Sequence, residues 1–240
     1  MLLKVIKTGS KGNCYILQSE NGSLIIEAGV HPKEVKKALN FNLKNANCIV
    51  SHAHGDHSNH IKGFLESGIR VYASRFTHEV KGTHHHFRAS FLVENKTVRI
   101  GEFKVLPFEV EHDVPCFGFL IEHKECGKVL FLTDTSYCEY TFKGLNNIII
   151  EANHSQEIME EAGVMSFLKD RVVLSHMNIN TCKELLQAND LSMVSNIVLI
   201  HLSDSNSNSE EFRKQIERST GVNTIVAENG MIINFNKHSI

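Results

Sequence analysis

The 240-residue chain has no tryptophan, 3 prolines and 4 tyrosines. With so little proline there is no Pro/Ser-rich linker, and no repeat or low-complexity tract divides the chain. The expectation is one domain over residues 1–240, long enough to bury a real core. Long apolar runs are missing as well. None approaches the roughly 18 residues that a membrane-spanning helix needs, so no membrane partner is expected. The opening MLLKVIKTGS also lacks the basic-then-apolar pattern of a secretion signal. No CxxC pair occurs among Cys14, Cys48, Cys116, Cys126, Cys138 and Cys182. Their irregular spacing argues against a disulfide framework and for buried, reduced thiols in a cytoplasmic protein. Neither sign of charge dominates: 25 Lys and Arg face 27 Asp and Glu, for a net charge of −2. That balance excludes a surface built to coat a large polyanion, while a local basic groove remains compatible with it.

A hydrophobic fraction of 42% and a charged fraction of 22% are those of an ordinary soluble domain, which rules out disorder, collagen and coiled coil. The excess lies in histidine, with 15 residues. Histidine is the commonest metal ligand.

The apolar pattern alternates strands with short helices. Leu2–Lys7, Cys14–Ser19 and Ser23–Glu27 read as strands in hairpin order, with a turn at Asn21-Gly22. Pro32 opens a helix with Val35, Ala38 and Leu39 on one face, and Cys48–Ser51 is a short strand. Ile61, Phe64 and Leu65 give the next helix a buried face, ended by Gly68; Ile69–Ala73 is a strand, and Ser74 caps a helix carrying Phe76 and Val80. Further strands are expected at Thr97–Ile100, Phe103–Phe108, Phe117–Glu122, Val129–Thr133, Asn146–Glu151, Val172–Leu174 and Ile197–Ile200. Helices are expected at Cys182–Ala188 and Glu210–Arg218, the latter with Ser207 and Glu210 as a capping box and Gly221 at its end. Thr224–Ala227 and Met231–Phe235 close the chain as strands. Two packed sheets with helices outside would bury such a set well.

Ser51-His52-Ala53-His54-Gly55-Asp56-His57 is an HxHxDH motif between an apolar strand and a helix. Such a turn can aim His52 and His54 at one point and Asp56 and His57 at a neighbouring one. Imidazole and carboxylate together suit zinc, and also manganese or iron. A solvated histidine-rich loop would not interleave Gly55 and Asp56 at a strand end.

With this motif, the chain resembles the metallo-β-lactamase-fold hydrolases, and among them the WalJ/YycJ-type exonuclease family and its phage relatives. The resemblance is carried along the whole chain by Thr8–Cys14, Glu27-Ala28-Gly29, the HxHxDH, His112-Asp113, Phe131–Thr135, Glu151–His154, Ser175-His176-Met177 and His201-Leu202-Ser203. It implies an α/β fold, an αββα sandwich of two mixed β-sheets flanked by helices, with two divalent metal ions at the shared sheet edge. Zinc is the default ion and manganese the alternative. The resemblance implies that His52, His54 and His112 bind the first ion, Asp56, His57 and His201 the second, and that Asp134 bridges them. Asp56 and Asp134 would hold metal and nucleophile in line, and His176 or His154 would protonate the leaving oxygen. Where the family has Asp-Ala-Gly this chain has Glu27, and the segments after His176 and His201 also depart, so phosphate contacts there would differ.

The implied activity is phosphodiester hydrolysis by a metal pair, first as a DNA-end-processing nuclease. A cyclic-nucleotide phosphodiesterase of the phage anti-defence type is the alternative, and a thioester or lactone hydrolase a further one. The short stretch between Asp134 and His154 leaves no room for an accessory nucleic-acid clamp. Partners would be a nucleic acid or nucleotide substrate and, in a homodimer, a second copy of the chain. His84-His85-His86 reads as a solvated or substrate-mouth loop, because adjacent histidines point apart. His31, His60, His78, His123 and His238 read as surface residues, and Lys11, Lys62, Arg75 and Arg88 as scattered surface charge, with a modest anion-attracting rim the alternative.

Overall fold

The computed structural model describes residues 1–163 and 172–237. The first sheet contains β1 (Leu2–Lys7), β2 (Cys14–Gln18), β3 (Ser23–Ile26), β4 (Ala46–Ile49), β5 (Arg70–Ala73), β6 (Ala89–Phe91) and β14 (Ile232–Asn234), in the order β14-β1-β2-β3-β4-β5-β6. The second contains β7 (Val98–Ile100), β8 (Phe103–Val110), β9 (Cys116–His123), β10 (Gly127–Leu132), β11 (Leu145–Glu151), β12 (Asn196–Ile200) and β13 (Thr224–Val226), in the order β13-β12-β11-β10-β9-β8-β7. Both sheets are mixed. From β14 to β3 neighbours run antiparallel and from β3 to β6 parallel. Likewise β7 to β10 are antiparallel and β10 to β13 parallel.

Helices cover the outer faces: α1 (Pro32–Ala38), α2 (Gly55–Ser58), α3 (Ile61–Glu66), α4 (Arg75–Val80), α5 (Gln156–Glu161), α6 (Ile179–Gln187) and α7 (Ser209–Thr220). Strand alternation sets which side chain enters which layer. In β11, Ile149 packs between the sheets with Leu3, Val5, Phe119 and Phe131, while Ile148 and Ile150 face α6 and α7 beside Leu186, Phe212 and Ile216. Every residue of β11 is buried for this reason. On the opposite side Ile16, Ile25 and Val71 pack against Val35, Phe64 and Leu65 of α1 and α3. This is the expected αββα sandwich.

Several local expectations are corrected. Residues 172–175 are helical rather than a strand; three apolar residues cannot distinguish the two states. The cap of α7 is Asn208, whose side chain accepts from the Glu211 amide, and not Ser207. In α4, Phe76 and Val80 are exposed and Thr77 and His78 face inward. The edge strand β6 is too short to show a period in sequence. His78 and His123 are buried, not surface residues. His78 Nδ1 shares a 2.8 Å hydrogen bond with Thr83 Oγ1, and His123 packs on Phe103. His238 lies outside the described residues.

Candidate metal centre

The parallel strands of each sheet deliver their carboxyl ends to one edge, where open α/β sheets place their ligands. Glu27 follows β3, residues 52–57 follow β4, Asp134 lies just past β10, Glu151 ends β11 and His201 follows β12. Glu27, Asp134 and His201 all have left-handed backbones, with φ of 71°, 46° and 55°. That conformation costs a non-glycine residue roughly 1–2 kcal/mol. It turns each chain sharply off its strand at the site. The N-terminal loop closes over the same edge: the Asn13 amide donates to Asp56 O at 2.7 Å, and the Ala28 amide to His57 O at 2.7 Å.

Two groups of side chains could each hold a cation, with ligand atoms within 4.8 Å of one another: His52, His54, His112 and Asp134, and Asp56, His57, Asp134 and His201. Asp134 belongs to both, and its two oxygens face different partners. Oδ1 lies 3.1 Å from His57 Nε2 and 3.9 Å from His201 Nε2, while Oδ2 lies 4.0 Å from His52 Nε2. Asp56 Oδ2 is 3.3 Å from His57 Nε2 and 3.2 Å from His201 Nε2. The seven ligand candidates of the sequence are thus brought together.

The cluster has the marks of a cation site. His52 Nε2 is fully buried and lacks a hydrogen-bond partner among the described residues, and its 4.0 Å gap to Asp134 is too long for a hydrogen bond. An ion bound about 2.0–2.2 Å from each atom fits that gap. His112 Nε2 and His54 Nδ1 approach to 3.1 Å, as two ring nitrogens do around a shared proton or cation.

The opposite ring nitrogens are held from behind, as metal-binding imidazoles require. His52 Nδ1 meets Ser51 Oγ at 2.8 Å, His112 Nδ1 donates to Ser175 O at 3.1 Å, and His201 Nδ1 donates to Glu151 Oε1 at 3.0 Å. Glu27 stands 3.6 Å from His57 Nδ1 and accepts from the Ser51 amide through both oxygens at 3.3 Å. The longer Glu27 therefore keeps an orienting position without touching the candidate ligand atoms.

Protonation follows from this crowding. Burial opposes charge on Asp134, yet the facing His201 and His57 hold its carboxyl well below the usual range. Burial likewise works against a charged His201, but Asp134, Asp56 and Glu151 outweigh it and push its pKa up to about 10. His52 is driven the other way, chiefly by burial and then by its histidine neighbours.

His176 sits at the rim, 2.8 Å from Glu151 Oε1 and 3.7 Å from Asp134 Oδ2. Burial is outweighed by Glu151, and its pKa is raised. His154 is placed differently. Its ring is buried, both nitrogens lack partners among the described residues, and it is absent from the described linings of the two cavities that His176 and His201 share. Burial lowers its pKa to about 4, so near neutrality it has no second proton to give. Its burial and lowered pKa favour His176 over His154 for the acid role.

Four residues absent from the sequence-derived site contribute directly. Glu151 joins Asp134, His176 and His201 in a third close group. Its sequence signal was a single acid ending an otherwise apolar run. Asn13 Nδ2 lies 3.0 Å from His57 Nε2 and 3.2 Å from Asp56 Oδ2. Asp113 Oδ1 is 3.1 Å from His112 Nε2. Asn153 Nδ2 donates to His201 O at 2.7 Å. Of the four cations, Arg75 lies over Phe91 and Arg88 over Phe87, while Lys11 lines the adjoining cavity. His84 and His85 stack on each other, and His86 on Phe87.

The sequence and the fold have known counterparts. The exodeoxyribonuclease WalJ of Streptococcus pneumoniae serotype 2 is 26% identical over 254 aligned positions, covering 96% of this chain and 91% of that protein. The exodeoxyribonuclease YycJ of Bacillus anthracis is 26% identical over 237 positions, covering 89% and 87%. The crystal structure of the metallo-β-lactamase fold protein YhfI from Bacillus subtilis superposes with a TM-score of 0.76 at 17% identity, covering 97% of this chain and 98% of that one. A family profile described as the Beta-lactamase superfamily domain matches residues 40–202, more than half of the chain. The chain, with its two seven-stranded sheets and its histidine–aspartate cluster at their shared edge, belongs to the β-lactamase superfamily.

Proposed function

We propose that this metal-dependent hydrolase cleaves phosphodiester bonds in nucleic acid, as a DNA-end-processing nuclease, with two zinc ions as its resident metals and manganese as the alternative. The observation that carries the reading is Asp134: one carboxylate whose two oxygens face two separate histidine groups. A shared carboxylate suits a close metal pair, and such a pair matches the two oxygens that gain charge in in-line phosphoryl displacement. Acyl transfer develops one oxyanion and needs no such pair. The exodeoxyribonuclease names of the two relatives support DNA as the polymer.

In this reading His52, His54 and His112 hold one ion, Asp56, His57 and His201 the other, and Asp134 both. The ions supply an activated water and polarisation of a phosphoryl oxygen. The chain's residues do the rest. Ser51, Ser175 and Glu151 fix which ring nitrogen of His52, His112 and His201 faces inward. Asn13 holds Asp56. His176, kept protonated at Nδ1 by Glu151, gives a proton to the leaving oxygen from the rim. The shared inter-sheet core supports one domain, and six buried free cysteines fit a reducing cytoplasm. Among the described residues no helix is long and apolar enough to cross a membrane.

The test is a substrate panel on metal-loaded protein: single- and double-stranded DNA, RNA, cyclic nucleotides, a thioester and a β-lactam. DNA cleavage with negligible acyl hydrolysis is expected. Cleavage of cyclic nucleotides but not polymers would select the phosphodiesterase alternative, and thioester hydrolysis without any phosphodiester cleavage would overturn the reading.

A further inference from the structure

The structure assigns a second phosphate-binding subsite to the cavity beside the metal centre, built on Lys7 and Lys11 and recognising the phosphate one nucleotide away from the scissile one. The assignment rests on the phosphodiesterase reading above. The cavity holds about 510 Å³, enough for a nucleotide. It is continuous with the site: Ser10, His176 and His201 line both it and a smaller cavity of about 340 Å³ that contains His54, Asp56 and Asp134. A diester bound at the cluster therefore has to send one of its two arms into this space or out to solvent.

The chemistry of the walls selects an anion. Apart from His176 and His201, the charged residues lining the cavity among the described residues are Lys7, Lys11 and Asp204, so cations outnumber carboxylates among them before any metal is counted. Neither lysine has a carboxylate partner among the described residues. This contrasts with Arg213 and Lys214, which are tied to glutamates on α7. Lys4 donates to Ala38 O and Lys128 to Lys143 O, so these stems are held by backbone. Two ammonium groups without a carboxylate partner among the described residues, beside a phosphoryl-transfer site, are poised for phosphate oxygens, to which lysine binds as a point charge. The Ser10 and Ser205 hydroxyls on the same walls add neutral donors.

The walls also say what is not recognised. Among the described residues no phenylalanine, tyrosine or tryptophan lines the cavity; its rings are the imidazoles of His176 and His201, and Val172 and Leu202 are its apolar surfaces. Base recognition in single strands relies on aromatic stacking. A polar cavity that bears two lysines and, among its described residues, no such stacking platform beyond the two imidazoles favours the sugar-phosphate backbone over the base, so cleavage should depend strongly on a flanking phosphate and weakly on base identity.

The experiment uses thymidine 5′-(p-nitrophenyl phosphate) with and without a 3′-phosphate, and the mirror pair, thymidine 3′-(p-nitrophenyl phosphate) with and without a 5′-phosphate. In one pair the extra phosphate should raise kcat/KM by about tenfold or more, the size of a charge-assisted contact. The Lys7→Ala/Lys11→Ala double variant should bring that ratio close to one. Asp204→Asn should raise the ratio, a gain that a damaged fold cannot mimic. Calorimetry on metal-free protein gives an independent readout: thymidine 3′,5′-bisphosphate should bind at least about tenfold more weakly to the double variant than to the wild type. Equal rates within both pairs, or a ratio that the lysines and Asp204 do not move, overturns the subsite. If none of the four esters is hydrolysed while the metal-free protein still binds the bisphosphate through Lys7 and Lys11, the anion site stands and the phosphodiesterase reading falls.

Discussion

Glu151, buried at the end of β11, places Oε1 2.8 Å from Nδ1 of His176. The same oxygen accepts from His201 Nδ1 at 3.0 Å, and Oε2 accepts from the Met177 amide at 3.1 Å. One carboxylate thus orients the proposed acid and a proposed metal ligand together. His176→Ala should lower turnover by about 10²–10⁴-fold with metal content kept. Glu151→Gln should lower turnover and also weaken one metal site by about 10–100-fold, because its second partner is a ligand. Steady-state rates beside elemental analysis separate the two; unchanged metal affinity in Glu151→Gln would remove its double role.

Elemental analysis of reconstituted wild-type protein should give two metal equivalents per chain, because two groups share Asp134. Asp134→Ala should fall to one or fewer. A wild type that never exceeds one equivalent would break the paired assignment.

The histidines with raised pKa set a pH signature in the metal-free protein. His201 titrates near 10 when folded, against about 6.5 unfolded. The folded state therefore holds its proton more tightly. That stabilisation is fully present below about pH 6.5 and is lost as pH rises towards 10. Thermal melting of chelator-treated protein should accordingly shift down between pH 7 and 10. Metal loading displaces the proton, so the loaded protein should not show this fall, and loading should release protons into a weakly buffered solution. A metal-free melting temperature that rises over this window would contradict the protonated cluster.

Gly29 lies where the N-terminal loop crosses the HxHxDH turn. A Cβ there would sit 1.7 Å from Asp56 O and 2.6 Å from Asn13 N. Both atoms are backbone and cannot swing aside. Gly29→Ala should cost about 3 kcal/mol or more in denaturant unfolding, through overpacking at the site. A near-neutral effect would mean that the loop does not clamp the turn.

His154→Gln should keep turnover within about threefold, since a buried histidine with pKa about 4 is neutral at working pH. A loss comparable to that of His176→Ala would return it to the acid role.

Most strands and helices were legible from the chain because their signals are local. A short apolar-rich strand such as Leu2–Lys7 or a capped helix such as that after Ser74 carries its own composition and punctuation. The HxHxDH turn was equally legible, since four of the clustered side chains lie within six residues. Legibility failed where a segment was too short for a period, as at residues 89–91 and 172–175, and where burial came from a distant element, as for His78 and His123.

The amino-acid order alone determined most of the strand set, the two buried faces of strands such as β11 and the local half of the metal cluster, because side-chain periodicity and a six-residue turn need no distant partner. Only the tertiary structure decided the rest. It brought His201 Nε2 to 3.2 Å from Asp56 Oδ2 across 145 positions of chain. It also set Glu151 behind two histidines, buried the His154 ring and left Lys7 and Lys11 beside the site without a carboxylate partner among the described residues. Parallel strands from two sheets end at one edge, and which residues meet there is fixed by strand register and by left-handed backbone at Asp134 and His201, neither of which a linear pattern encodes.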